Sequence, residues 1–156
     1  MKQIFFIAVY CLFFLSCQAQ NKQFKYVLDE SCTYYINKDL NKKIYIQSDV
    51  RPIYPHDEEA GFNRYINKNI SISKSDFNKI PFKRIFFIVN ISSEGEILST
   101  IILDRNENIK KENQLNLLEK DIIQIISKSE NWIPAKCRDE NVASQVLLVW
   151  SMPRLR

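Results

Sequence analysis

The chain has 156 residues, four cysteines and a formal net charge of +4, from 22 Lys+Arg against 18 Asp+Glu. That length suits one domain with one core. A hydrophobic content of 46% marks a folded globular protein, and only two glycines leave no phosphate-cradling loop. Basic and acidic residues are interspersed without a basic stripe, so the sequence carries no footprint for nucleic acid.

Residues 1–17 read as a secretion signal. Lys2 supplies the positive start, and Ile4 to Leu15 form an apolar run, with small and polar residues after it. The run is too short for a permanent anchor, which takes about 20 residues. Phe14-Leu15-Ser16-Cys17 resembles a lipoprotein signal, in which Cys17 would be lipidated after cleavage. The other reading is simple cleavage after Ala19 or Gln20. Both readings place the mature chain in the periplasm, and lipidation of Cys17 would hold it on the periplasmic face of the outer membrane.

Cys11 leaves with the signal, which leaves Cys32 and Cys137. In an oxidising compartment they can form a disulfide, or each can be a separate buried thiol. Their spacing does not match the close-set pairs of a zinc motif, and neither a metal nor a cofactor is expected.

Residues 18–25 are a polar lead. Thr33 to Ile36 and Lys43 to Gln47 flank a turn-rich stretch and predict a β-hairpin, so 18–50 form an N-terminal extension. Pro52 and Pro55 punctuate the chain. Asp57, Glu58 and Glu59 suit a helix start, and Phe62, Tyr65, Ile66 and Ile70 recur at helical spacing, which predicts a helix over 57–69. Residues 84–91 are strand-like, with Ile85, Phe87, Val89 and Ile91 on one face and Phe86 and Ile88 on the other, so both faces are expected to be covered. Gly95 suits a positive-φ turn into a return strand over 97–103. Leu115, Leu118, Ile122, Ile125 and Ile126 make one stripe of a helix over 113–128. Val146 to Trp150 form the last strand. The order after residue 50 predicts an α+β fold, an antiparallel sheet with two helices on one face.

Several stretches resemble the C-terminal domain of TonB-type proteins, in the form common in Bacteroidetes. Arg51-Pro52-Ile53-Tyr54-Pro55, Glu58-Glu59-Ala60, Phe62 and Tyr65 to Ile70 resemble its opening and first helix. Phe86 to Ile97 resembles its strand, acidic-Gly turn and second strand. Leu115 to Ile126 takes the place of its second helix, Trp132-Ile133-Pro134-Ala135 resembles its Trp-x-Pro signature, and Val142 with Val146 to Trp150 takes the place of its last strand. The resemblance covers residues 51–152. It implies peptide binding along a sheet edge, with Val142, Ser144, Val146, Leu148 and Trp150 as the edge. The implied partners are envelope proteins, TonB-dependent outer-membrane receptors among them. The chain lacks the family's uncleaved anchor and Pro-rich spacer, so energy transduction is not implied.

No catalytic constellation stands out. His56, the single histidine, sits between Pro55 and Asp57 and reads as an exposed loop residue. A thiol pair with Cys137 has no spacing to support it. Asp57 to Glu59 point around a helix rather than at one cation. Trp132 and Trp150 read as core residues. The expectation is a non-enzymatic envelope binding module. The alternatives are a structural lipoprotein anchored at Cys17, or a small enzyme centred on His56.

Overall fold

A computed structural model describes residues 27–29, 31–72 and 84–152. The expected signal, Cys17 and the polar lead lie outside them. The N-terminal part is a meander of three strands, β1 (Val27–Asp29), β2 (Cys32–Asn37) and β3 (Lys42–Gln47). Helix α1 (Glu58–Asn69) follows, then β4 (Arg84–Ile91), β5 (Ile97–Leu103), a 3-10 turn at Glu112–Gln114 and helix α2 (Leu117–Ser127). Strands β6 (Ala135–Cys137), β7 (Glu140–Val142) and β8 (Ser144–Ser151) follow. The protein is α+β. Six strands form one sheet in the order β1-β2-β3-β8-β4-β5, and β6 pairs with β7 separately. All neighbours in the large sheet are antiparallel except β3 and β8, which run parallel.

The period-2 pattern of β4 explains where the core sits. Phe87 lies opposite Leu148 of β8 and Ile102 of β5, and Ile85 lies opposite Trp150. These residues share one buried cluster with Phe62 and Ile66 of α1 and Ile122 and Ile126 of α2. Each such side chain removed from water stabilises the fold by about 1.5–3 kcal/mol. The other row of the sheet differs from expectation. Phe86, Ile88, Ile101 and Val149 are only half-buried, and Leu147 is 58% exposed. That face carries a polar row instead: the Tyr35 hydroxyl donates to Gln145 Oε1 at 3.2 Å, and Asn90 Nδ2 donates to Ser99 Oγ at 2.8 Å.

Helix α2 starts on a reciprocal cap. Asn116 Oδ1 accepts from the Glu119 amide at 2.9 Å, and Glu119 Oε2 accepts from the Asn116 amide at 3.0 Å. Glu119 is buried and also takes the Lys110 ammonium at 2.6 Å. Helix α1 begins differently. Asp57 and Glu58 adopt left-handed φ angles of 66° and 49°, and Asp57 makes no side-chain cap. Their carboxylates pair instead with Arg64 and Arg51, both at 2.8 Å.

Both glycines are demanded by close backbone approach. A Cβ on Gly61 would fall 1.3 Å from the His56 carbonyl oxygen. Gly95 has φ 87°, as the turn requires, and a Cβ there would fall 1.9 Å from the Trp132 carbonyl oxygen. The Trp132 amide donates back to the Gly95 carbonyl at 2.8 Å, so the β4–β5 turn is docked on the Trp132 segment.

Candidate functional site

Strand β8 is not the sheet margin that the sequence reading expects. It lies between β3 and β4. Its two sides are nevertheless unequal. On one side all eight residues, Ser144 to Ser151, pair with β4. On the other, the ladder to β3 is one bridge, Tyr45 opposite Ser144, with the Tyr45 amide donating to the Ala143 carbonyl at 2.8 Å. After Gln47 the chain leaves β3 to make isolated bridges at Val50 with Lys136 and Ile53 with Ile133. Among the described residues, the side of β8 beyond Ser144 therefore has no further ladder partner. Unpaired strand amides and carbonyls of this kind are a template for another extended segment.

The residues expected to form the edge mostly face the core. Ser144, Leu148 and Trp150 are buried, because they alternate onto the core face. The Trp150 indole N–H donates to Asn67 Oδ1 at 2.8 Å, which ties β8 to α1. Val146 packs partly buried against the same core. Val142 is not in the last strand at all; it belongs to β7 and pairs with Ala135. The outward row is Gln145, Leu147, Val149 and Ser151. Period-2 alternation was legible, but its phase was not, since SQVLLVWS is apolar on both faces.

Cys32 and Cys137 are joined in a disulfide, with Cα atoms 6.3 Å apart across 105 residues of sequence. It staples β2 to the tip of the β6–β7 hairpin. Asp49 lies beside it: Oδ2 is 3.9 Å from Cys32 Sγ and accepts from the Arg138 amide at 2.7 Å. That backbone bond, helped by Ser31, holds the Asp49 carboxyl below its ordinary pKa. A bonded sulfur has no proton to give, so the sulfur–carboxylate approach is a contact and not a hydrogen bond.

His56 sits in the turn before α1 with its side chain 66% exposed, and Nε2 lies 2.9 Å from Glu130 Oε2. Cys137 is held in the disulfide and is not paired with it. Trp132 joins Tyr54, Phe62 and Tyr65 in an aromatic cluster, with the Trp132 ring 5.0 Å from Phe62 and 5.4 Å from Tyr54. Burial raises the pKa values of Tyr54 and Tyr65, with the Glu130 charge adding to both. Both tryptophans are thus core residues, at 4% and 0% exposure. No helix among the described residues is long and apolar enough to cross a membrane.

Comparison of the chain with family models, with curated proteins and with solved structures gives no match.

Proposed function

We propose that the protein is a non-enzymatic binding module of the bacterial cell envelope, exported through residues 1–17 and held at a membrane if Cys17 is lipidated. In this reading residues 51–152 form a TonB C-terminal-like domain, an antiparallel sheet backed by two helices on one face. Its partners are envelope proteins that present an extended segment, TonB-dependent outer-membrane receptors among them. The motif order in residues 51–152 supports the family; no energy-transducing role is included.

The single observation that carries the binding mode is the side of β8 that is half-vacant among the described residues. Eight residues pair toward β4, while one bridge is made toward β3. An added strand would take main-chain hydrogen bonds along Val146 to Ser151 and rest side chains on Leu147 and Val149. The vacant stretch carries no charge and no proline, the usual guards of a free strand side.

The test is an NMR titration of the isotope-labelled protein with peptides from the periplasmic N-termini of outer-membrane receptors. Amide shifts concentrated in Val146 to Ser151 are expected, and Leu147→Lys should weaken them. The absence of shifts at millimolar peptide, or shifts confined to other elements, would rule out strand addition on β8.

A further inference from the structure

We propose that Cys32, Cys137 and Asp49 are also a cation site: with the disulfide reduced, the two thiolates and the carboxylate hold one thiophilic divalent ion, Zn2+ or Cd2+. Three separate segments bring these residues together, the start of β2, the turn after β3 and the β6–β7 tip. One donor atom from each lies within 4.8 Å of the others. The Asp49 oxygen stands 3.9 Å from Cys32 Sγ. A sulfur and an oxygen bound to one tetrahedral zinc, at about 2.3 and 2.1 Å from it, stand roughly 3.6 Å apart. The carboxylate is therefore already near ligand distance. The two sulfurs need to separate to roughly 3.8 Å, as two thiolates on one zinc require.

The surroundings suit a metal in other ways. The cysteines are 1% and 5% exposed, while Asp49 faces solvent, so a fourth coordination position opens on the water side. The Arg138 amide fixes the carboxylate from behind, as outer-shell donors do for metal ligands. Two sulfurs and one oxygen select a borderline-soft ion over Ca2+ or Mg2+.

The chemistry balances with an external dithiol. Its two thiols give two electrons and two protons to the Cys32–Cys137 bond and become a disulfide, and Cys32 and Cys137 become thiols. The cation then displaces both thiol protons to water. Asp49 is already ionised near neutral pH. The β2-to-hairpin staple persists in either redox state, by a covalent bond or by a metal.

The experiment uses the full chain carrying Cys11→Ser and Cys17→Ser, which removes the two other thiols. The protein is reduced with a phosphine without oxygen and titrated with Co2+ and Cd2+ while thiolate-to-metal charge-transfer absorption is followed. One ion per chain is expected, with no band from the oxidised protein. Asp49→Ala should weaken binding at least about tenfold, the scale on which metal-site partners act, and Asp49→His should restore it. Asp49 is exposed, so these variants are expected to keep the oxidised fold, checked by circular dichroism. Absence of a band at micromolar metal would overturn the site. So would equal affinity of Asp49→Ala and the parent, which would mean two thiols binding without a built site.

Discussion

In the β8–β4–β5 part of the sheet, Trp150, Leu148, Phe87 and Ile102 pack directly on α1 and α2 in one buried cluster. The β1–β2–β3 meander contributes no residue to that cluster. Its buried residues, Cys32, Thr33, Tyr35 and Ile44, are not members of it. Among the described residues its ties to the rest include the disulfide, the Tyr45–Ser144 bridge, the Tyr35–Gln145 hydrogen bond and the Asp49–Arg138 hydrogen bond just beyond β3. One part is held chiefly by a shared buried cluster, the other by a smaller buried set and a few specific links. Perturbations of the two should therefore look different.

The largest effect belongs to the packed part. Trp150→Ala should lower stability by about 3–5 kcal/mol, the range for a buried aromatic truncated to alanine. Denaturation should remain one transition, shifted as a whole. Next comes the staple. Cys32→Ala with Cys137→Ala removes a constraint on a long loop and should cost about 2–4 kcal/mol. Here hydrogen exchange should quicken in β1 to β3 well before β4 and β8, and equal quickening everywhere would erase the distinction. Glu119→Ala removes a cap and leaves the half-buried Lys110 ammonium unpaired, for about 1–3 kcal/mol, read by urea denaturation and felt mainly in the packed part. Tyr35→Phe should cost about 0.5–1.5 kcal/mol and act on the meander alone.

The smallest effect is with pH. The Arg138 amide keeps the Asp49 carboxyl below its ordinary pKa. A carboxyl depressed in the folded state contributes stability that is fully present above its ordinary range and is lost as pH falls through the folded value. Acid should thus loosen the β6–β7 tip and its tie to the meander first. An NMR pH titration of the Arg138 amide checks this, and a tip that releases only with the global transition would contradict it.

The packed part was legible because its signals are local. Ile85, Phe87 and Val89 alternate, Leu118, Ile122 and Ile126 recur at helical spacing, and Gly95 has the φ that its turn needs. Its helix ends were blurred: Leu115 precedes the Asn116 cap and lies outside α2. The meander was half legible. The β2–β3 hairpin announced itself by composition, but β1 is three residues long, and β8, the neighbour of β3 across the sheet, lies about a hundred residues further along the chain. The β6–β7 hairpin gave no cue. Its tip is Arg138-Asp139, with φ angles of 53° and 65°, where such a turn usually carries Asn-Gly. Charged residues around it read as loop. The last strand was legible over Val146 to Trp150, but its place inside the sheet was not, because the single Tyr45–Ser144 bridge leaves no periodic trace.

The parallel bridge also sets an order of events in time. A ribosome delivers Tyr45 long before Ser144, and Cys32 emerges 105 residues ahead of Cys137. Closing so long a loop is slow compared with forming local hairpins. The β2–β3 hairpin is therefore made early and waits without its neighbour until β8 has paired with β4. During that wait the Cys32 thiol is open to wrong partners.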